Sequence, residues 1–303
     1  MKGKGFTERD IPRQDGKTFV ITGANTGLGY EAARMLAGNG ARVVIACRAE
    51  TRAAEAIARI HKLHPDAEVE FVALDLGDLA SVRACAALLQ NEKQIDVLIN
   101  NAGIMVPPYE LTVDGFESQF GVNHLGPFAL TGLLLDKLRE IPDARIVSTS
   151  SIAHKRGKIY FDDIKAEKNY SATGRYAQSK LANLLFAYEL QGRLEAAGDS
   201  LISVACHPGI ADTELTRYLP GALRAATPLL RPLFNTAAEG AWPTLHAATG
   251  GDINGGDYLG PCKRRETAGP AVHVRSTRKS HDPDLARRLW DLSVAMTGVD
   301  PGL

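Results

Sequence analysis

The 303-residue chain carries no net charge, because 35 lysines and arginines are matched by 35 aspartates and glutamates. Without a surface field of one sign, neither a nucleic-acid partner nor adsorption to an anionic membrane is expected. Cysteine is scarce. Cys47, Cys85, Cys206 and Cys262 are scattered with no C-x-x-C spacing, which argues against a disulfide framework and a zinc site and for reduced thiols. His61 and His64 stand three apart, but no further clustered ligand completes a metal site, so none is expected. Long apolar runs are missing too. The stretch from Met1 to Arg13 is polar, and no later segment offers the roughly 18 uninterrupted apolar residues of a membrane span. These absences predict a cytoplasmic protein that does not cross a membrane.

What is present is an alternation. Short β-rich runs and helical patterns follow one another: 18–22 then 29–37, 42–47 then 50–63, 69–74 then 79–90, 95–99 then roughly 113–140, 145–149 then 175–196, and a last run at 201–206. Near-continuous apolar strands alternating with helices predict α/β architecture: a single Rossmann-type, doubly wound parallel sheet with helices on both faces. Residues 1–16 read as a polar N-terminal extension and 17–303 as one domain. The segment at about 207–236 is irregular, with Pro208, Pro220, Pro228 and Pro232 among leucines, and reads as a substrate loop or lid. A helix near 237–248, a short strand at 257–260 and a helix near 283–296 complete the domain.

The first strand runs into Thr22-Gly23-Ala24-Asn25-Thr26-Gly27-Leu28-Gly29 and then a helix. Glycines there permit a tight turn and close backbone approach, and the helix N-terminus offers free N–H groups to a pyrophosphate. The spacing is G-x-x-x-G-x-G, not the general G-x-G-x-x-G. Gly16-Lys17-Thr18 imitates the end of a P-loop, but it precedes a strand and position 11 is isoleucine, so an ATPase is not expected. The second strand ends Cys47-Arg48 with no acid before Glu50. An arginine at this place suits a 2′-phosphate, which favours NADP(H), with NAD(H) possible; the alternative is a solvated arginine grouped with Arg52 and Glu55. Tyr176 and Lys180 lie four apart on a predicted helix and so share a face. A cation held near a phenol favours the phenolate, which makes Tyr176 a candidate general acid/base.

Together with Asp75-Leu76, Asn100-Asn101-Ala102-Gly103, Asn123, Ser151 and Pro208-Gly209, these motifs occur in the order found in the short-chain dehydrogenase/reductase family, which the chain resembles over nearly its whole length. The stretches 145–154 and 176–186 are most similar to its retinol dehydrogenase-like branch. The resemblance implies that Ser151 hydrogen-bonds the substrate oxygen, Tyr176 exchanges a proton, Lys180 binds the nicotinamide ribose and lowers the phenol's pKa, and Asn123 positions a water. It also implies that Asp75 and Leu76 meet adenine, that Asn101, Ala102 and Gly103 line the cofactor cleft, and that Pro208, Gly209, Ile210 and Thr213 flank nicotinamide. Ser151 and Tyr176 are 25 positions apart, about twice the family's usual spacing, so Ser150 stands as a second candidate for the serine.

The expected activity is interconversion of a carbonyl and an alcohol. The apolar 207–234 segment, with Ile104, Met105, Val106 and Tyr109, suggests a lipophilic small-molecule substrate. Reduction of an activated carbon–carbon double bond and a non-catalytic dinucleotide sensor are the alternatives. The family resemblance implies a homodimer or homotetramer.

Overall fold

The computed structural model describes residues 5–210 and 235–303. Its elements are β1 (Thr18–Thr22), α1 (Gly27–Gly38), β2 (Arg42–Cys47), α2 (Glu50–Leu63), β3 (Val69–Ala73), α3 (Leu79–Leu89), β4 (Val97–Asn100), a single helical turn α4 (Ser118–Phe120), a π-helical turn at Gly121–Leu125, α5 (Gly126–Arg139), β5 (Arg145–Thr149), α6 (Ala172–Ala196), β6 (Ile202–Cys206), α7 (Ala237–Thr249), β7 (Tyr258–Lys263), β8 (Ala268–His273) and α8 (Pro283–Thr297).

Among the described residues the strands form one sheet in the order β3-β2-β1-β4-β5-β6-β7-β8. Pairing is parallel from β3 through β7, in registers such as Ile21 opposite Ile45 and Ile99. Alternate side chains of each strand feed opposite faces. Phe19, Ile21, Val43, Ile45 and Ile99 pack with Leu36 of α1, Ile60 of α2 and Leu245 of α7. Val20, Val44, Leu98 and Ile146 pack on the other side with Leu89 of α3, Leu134 of α5, Leu190 of α6 and Trp290 of α8. Strands buried on both faces explain why they read as continuous apolar runs.

Three expectations are corrected. The strand expected at 257–260 is the first half of a hairpin, and its partner β8 runs antiparallel, so the sheet is not wholly parallel. The helix expected from 113 begins at Ser118, because Asp114-Gly115 makes a turn in which Gly115 has φ +77° and Gly115 N donates to the Thr112 carbonyl. The N-terminal extension is not a free lead-in over its described part. Phe6 exchanges backbone hydrogen bonds with Ala271 of β8 and stacks on the His246 ring at 4.6 Å, while Ile11 is buried. No described helix is long and apolar enough to cross a membrane.

Candidate active site

Strand order reverses between β1 and β4, and the carboxyl ends of strands at such a point open a crevice. Gly23 leaves β1 with φ +68°, and Gly27 opens α1 with φ +57°. A Cβ on Gly23 would stand 2.9 Å from that of Ala102, and one on Gly29 would stand 2.5 Å from Asn101 Nδ2. The loop backbone therefore lies directly on the segment after β4. Thr22 fastens the two: its Oγ1 accepts from the amides of Asn101 and Ala102 at 3.0 Å each, and its carbonyl accepts from Asn101 Nδ2 at 2.8 Å. α1 starts without a side-chain cap from Thr26 and without an acid in its first turn, whereas Asp78, Ser171 and Asp282 cap α3, α6 and α8. An uncapped amide end over a floor with no room for a Cβ fits the pyrophosphate of a dinucleotide.

At the end of β2 the Arg48 guanidinium is 69% exposed and 3.9 Å from Asp75 Oδ2. Asp75 is fixed from its other oxygen, which accepts from Gly77 N at 2.9 Å, and Leu76 is buried beside it. A second guanidinium joins this end. Arg59 of α2 lies with Cζ 4.1 Å from the centroid of the Tyr30 ring, and its Nη2 donates to the Asn25 carbonyl at 3.5 Å. No basic residue lies between Gly23 and Gly29 in the chain; α2 supplies one through space, and linear spacing carries no signal of it.

The other end of the crevice is built by β5, the π turn and α6. Ser171 caps α6 by accepting from Gly174 N at 3.3 Å, and the helix then presents Tyr176 and Lys180 one turn apart. Lys180 is buried, with Nζ donating to the Thr149 carbonyl at 3.1 Å and lying 5.8 Å from the centre of the Tyr176 ring. Gly103 closes the gap to the cofactor cleft, since a Cβ there would stand 3.4 Å from Lys180 Nζ and 3.1 Å from Asn123 Oδ1. Asn123 sits in the π turn. Its Oδ1 accepts from Ile104 N at 2.7 Å, and its Nδ2 donates to the Ile104 carbonyl at 2.9 Å and to Ser179 Oγ at 3.0 Å. That side chain holds the loop after β4 against α6.

The two serines separate cleanly. Ser150 is buried and donates to the Lys180 carbonyl at 2.7 Å, a packing bond between β5 and α6. Ser151 opens the 3₁₀ turn Ile152–Arg156, accepts from Ala153 N at 3.2 Å and lies close enough to the Tyr176 phenol to favour its ionised form. The long spacing to Tyr176 is absorbed by a loop folded on α6. Tyr160 N donates to Gln178 Oε1 at 2.8 Å, and Arg175 binds Asp163 at 2.6 Å beneath the Tyr160 ring.

The electrostatics correct one expectation. Desolvation raises the Tyr176 phenol above its usual value, and the Ser151 hydroxyl opposes that rise. Burial instead lowers Lys180 to about 8. A short spacing reveals that the two groups are neighbours, but not that both are desolvated. Pro208, Gly209 and Ile210 follow β6, while Thr213 and most of the 207–236 segment lie outside the described residues. Around the entrance, the Tyr109 hydroxyl donates to the Lys165 carbonyl at 3.2 Å, and Tyr170 donates to the Pro107 carbonyl at 2.6 Å.

This geometry agrees with known proteins. Residues 17–222 match the short chain dehydrogenase family. The chain is 44% identical over 289 residues to retinol dehydrogenase 12 of Mus musculus, covering 94% of this chain and 87% of that one. It is 37% identical over 303 residues to polyprenol dehydrogenase of Homo sapiens, covering 97% and 89%. A crystal structure of a protein from Mycobacterium paratuberculosis superimposes with a TM-score of 0.83 at 42% identity, covering 99% of this chain and all of that one. The chain belongs to the short-chain dehydrogenase/reductase family, as an oxidoreductase of its retinol dehydrogenase branch.

Proposed function

We propose that this protein is an NADP(H)-dependent oxidoreductase that interconverts a carbonyl and an alcohol on a lipophilic small molecule. The observation that carries the reading is the grouping of Ser151 and Lys180 around Tyr176, with Lys180 Nζ set against Gly103 at the edge of a glycine-floored crevice. When bound, the nicotinamide cofactor supplies or accepts the hydride. Gly23, Asn25, Thr26, Gly27, Leu28 and Gly29 would hold its pyrophosphate, with Asp75, Leu76, Asn101, Ala102 and Gly103 lining the adenine and ribose side.

In the reductive direction Ser151 donates to the carbonyl oxygen and fixes its distance from Tyr176. The Tyr176 hydroxyl gives its proton to the developing alkoxide, and its burial keeps the phenol protonated until that charge appears. Lys180, with one contact on Thr149, has donors left for a ribose hydroxyl and stabilises the phenolate left behind. Asn123 acts by holding Ile104 and Ser179, which fixes the wall between the lysine and the loop after β4.

The NADP(H) preference is supported by Arg48 and Arg59, two exposed guanidinium groups that make no tight salt bridge among the described residues. A lipophilic substrate is supported by the apolar entrance residues Ile104, Met105 and Val106, by exposed Tyr109, and by the substrates named in the two relatives above. A panel of retinoid, long-chain and small polar carbonyl compounds, followed by NADPH and NADH absorbance, tests the reading. Turnover of apolar aldehydes or ketones with NADPH at higher kcat/KM than with NADH is expected. Exclusive use of NADH, or turnover confined to polar compounds, would overturn the corresponding part.

A further inference from the structure

A second group of ionisable side chains joins three pieces of chain behind the site. Glu266, in the β7–β8 hairpin, places Oε2 3.0 Å from Lys155 Nζ and 3.4 Å from His207 Nε2. Lys155 belongs to the turn that follows Ser151, and His207 immediately precedes Pro208-Gly209. His207 is fully buried, and its Nδ1 accepts from Gly209 N at 3.2 Å, which leaves the ring proton on Nε2, facing the carboxylate. A Cβ on Gly260 would stand 2.1 Å from that nitrogen, so β7 is glycine where the ring passes.

The hairpin is held in an unusual shape. Arg264, Arg265 and Glu266 have φ of +51°, +58° and +67°, a run of three side-chain-bearing residues in the left-handed region. Such a run persists only where its surroundings determine it. Here Thr267 Oγ1 donates to the Arg264 carbonyl at 2.8 Å, and Glu266 is gripped by Lys155 and His207. The next carbonyl along, that of Thr267, accepts from Ile210 N at 2.9 Å. The turn after Ser151 is pinned from inside as well, because His154 Nδ1 donates to the Ser151 carbonyl at 2.7 Å. The His207 ring 3.4 Å away, with help from Lys155, holds the Glu266 carboxyl down at about 2, so it is charged over the whole working range.

On the reading of Ser151 as the substrate-binding serine, we propose that Glu266 is a positioning residue that clamps the turn after Ser151 to the Pro208-Gly209-Ile210 segment and so fixes the width of the reaction site. It touches no reacting atom. Losing the clamp lets serine and nicotinamide wall drift apart, and a displacement of about 1 Å costs on the order of 10- to 100-fold in rate. Adenosine-end contacts are untouched, so cofactor affinity does not move.

The test compares wild type, Glu266→Gln, Lys155→Met, the double variant and Tyr176→Phe, with kcat normalised to NADPH-binding sites counted by fluorescence titration. The expected result is a kcat per site lowered about 10-fold or more in both single variants, NADPH affinity within about twofold, and a double variant no worse than the poorer single one. If Glu266→Gln does not fold, Lys155→Met alone must show the same split. Loss of folded protein with unchanged kcat per site would make Glu266 a stability residue only and overturn the proposal. Should Tyr176→Phe be inactive while both clamp variants match wild type, the clamp fails and the reading of the site stands. Should Tyr176→Phe turn over normally, the reading of the site fails and the clamp with it.

Discussion

The two ends of the crevice treat charge in opposite ways. At the adenosine end Arg48 projects into solvent with only a loose contact to Asp75, and Arg59 rests on a ring face. At the reaction end Lys180 is buried against a backbone carbonyl, and desolvation moves both it and Tyr176. Exposed charges are screened and contribute little to folding, so they are free to serve recognition. Buried charges cost the fold stability, and the shift in their proton affinity is what makes them useful for chemistry. Substitutions at the first end should therefore change affinity alone, and substitutions at the second should change rate and stability in opposite senses.

The largest effect is expected at Tyr176. Tyr176→Phe removes the hydroxyl that exchanges the proton and should lower kcat by about 10²- to 10⁴-fold. Lys180→Met follows, with a large loss of kcat and a gain in stability. The Thr149 carbonyl keeps its bond from Asn183 Nδ2 at 3.0 Å, so the substitution orphans no acceptor. The sign follows from the lowered pKa. Below about 8 the ammonium is charged in both folded and unfolded chains and its burial opposes folding in full; between 8 and the ordinary 10.5 the unfolded chain binds a proton that the fold does not, and stability rises with pH. The melting temperature of Lys180→Met should exceed wild type most at about pH 7, with the difference shrinking as pH approaches 10.5. A variant less stable than wild type at pH 7 would contradict the account.

Ser151→Ala should cost roughly 10²-fold in kcat, the scale of one oriented donor at a developing oxyanion. Ser150→Ala is the control. It removes the bond to the Lys180 carbonyl and should cost about 1 kcal/mol of stability with kcat per active site preserved. The reverse pattern would exchange the two serines. Smallest are the adenosine-end changes. Arg48→Ala should weaken NADPH by about 10- to 100-fold while barely affecting NADH, and Arg59→Ala should do the same more weakly, both measured by fluorescence titration. Equal weakening of both cofactors would make the arginines bystanders to the 2′-phosphate.

The same division decides what could be read from the chain. Much of the adenosine end is made by short runs of consecutive residues, so the glycine loop, the Asn-Ala-Gly segment and Cys47-Arg48 are legible as motifs. Strands buried on both faces were legible as apolar runs. β8 was not: Gly269 and Pro270 lie within Ala268–His273 and interrupt any strand signal. Arg59 and Glu266 are not legible because each meets its partners only through the folded backbone, from α2 and from the β7–β8 hairpin. The pairing of Tyr176 with Lys180 is legible in their spacing, but the direction in which the phenol shifts is not, because burial is a property of the assembled fold and not of a four-residue interval.

The most direct test places the two ends side by side in single-turnover experiments with NADPH already bound and an apolar aldehyde added. The account predicts that Arg48→Ala, saturated with NADPH, oxidises it at the wild-type rate despite weaker binding, whereas Tyr176→Phe binds NADPH within about twofold of wild type and fails to oxidise it. A Tyr176→Phe protein that oxidises bound NADPH at close to the wild-type rate would contradict the assignment of this tyrosine, and with it the central claim.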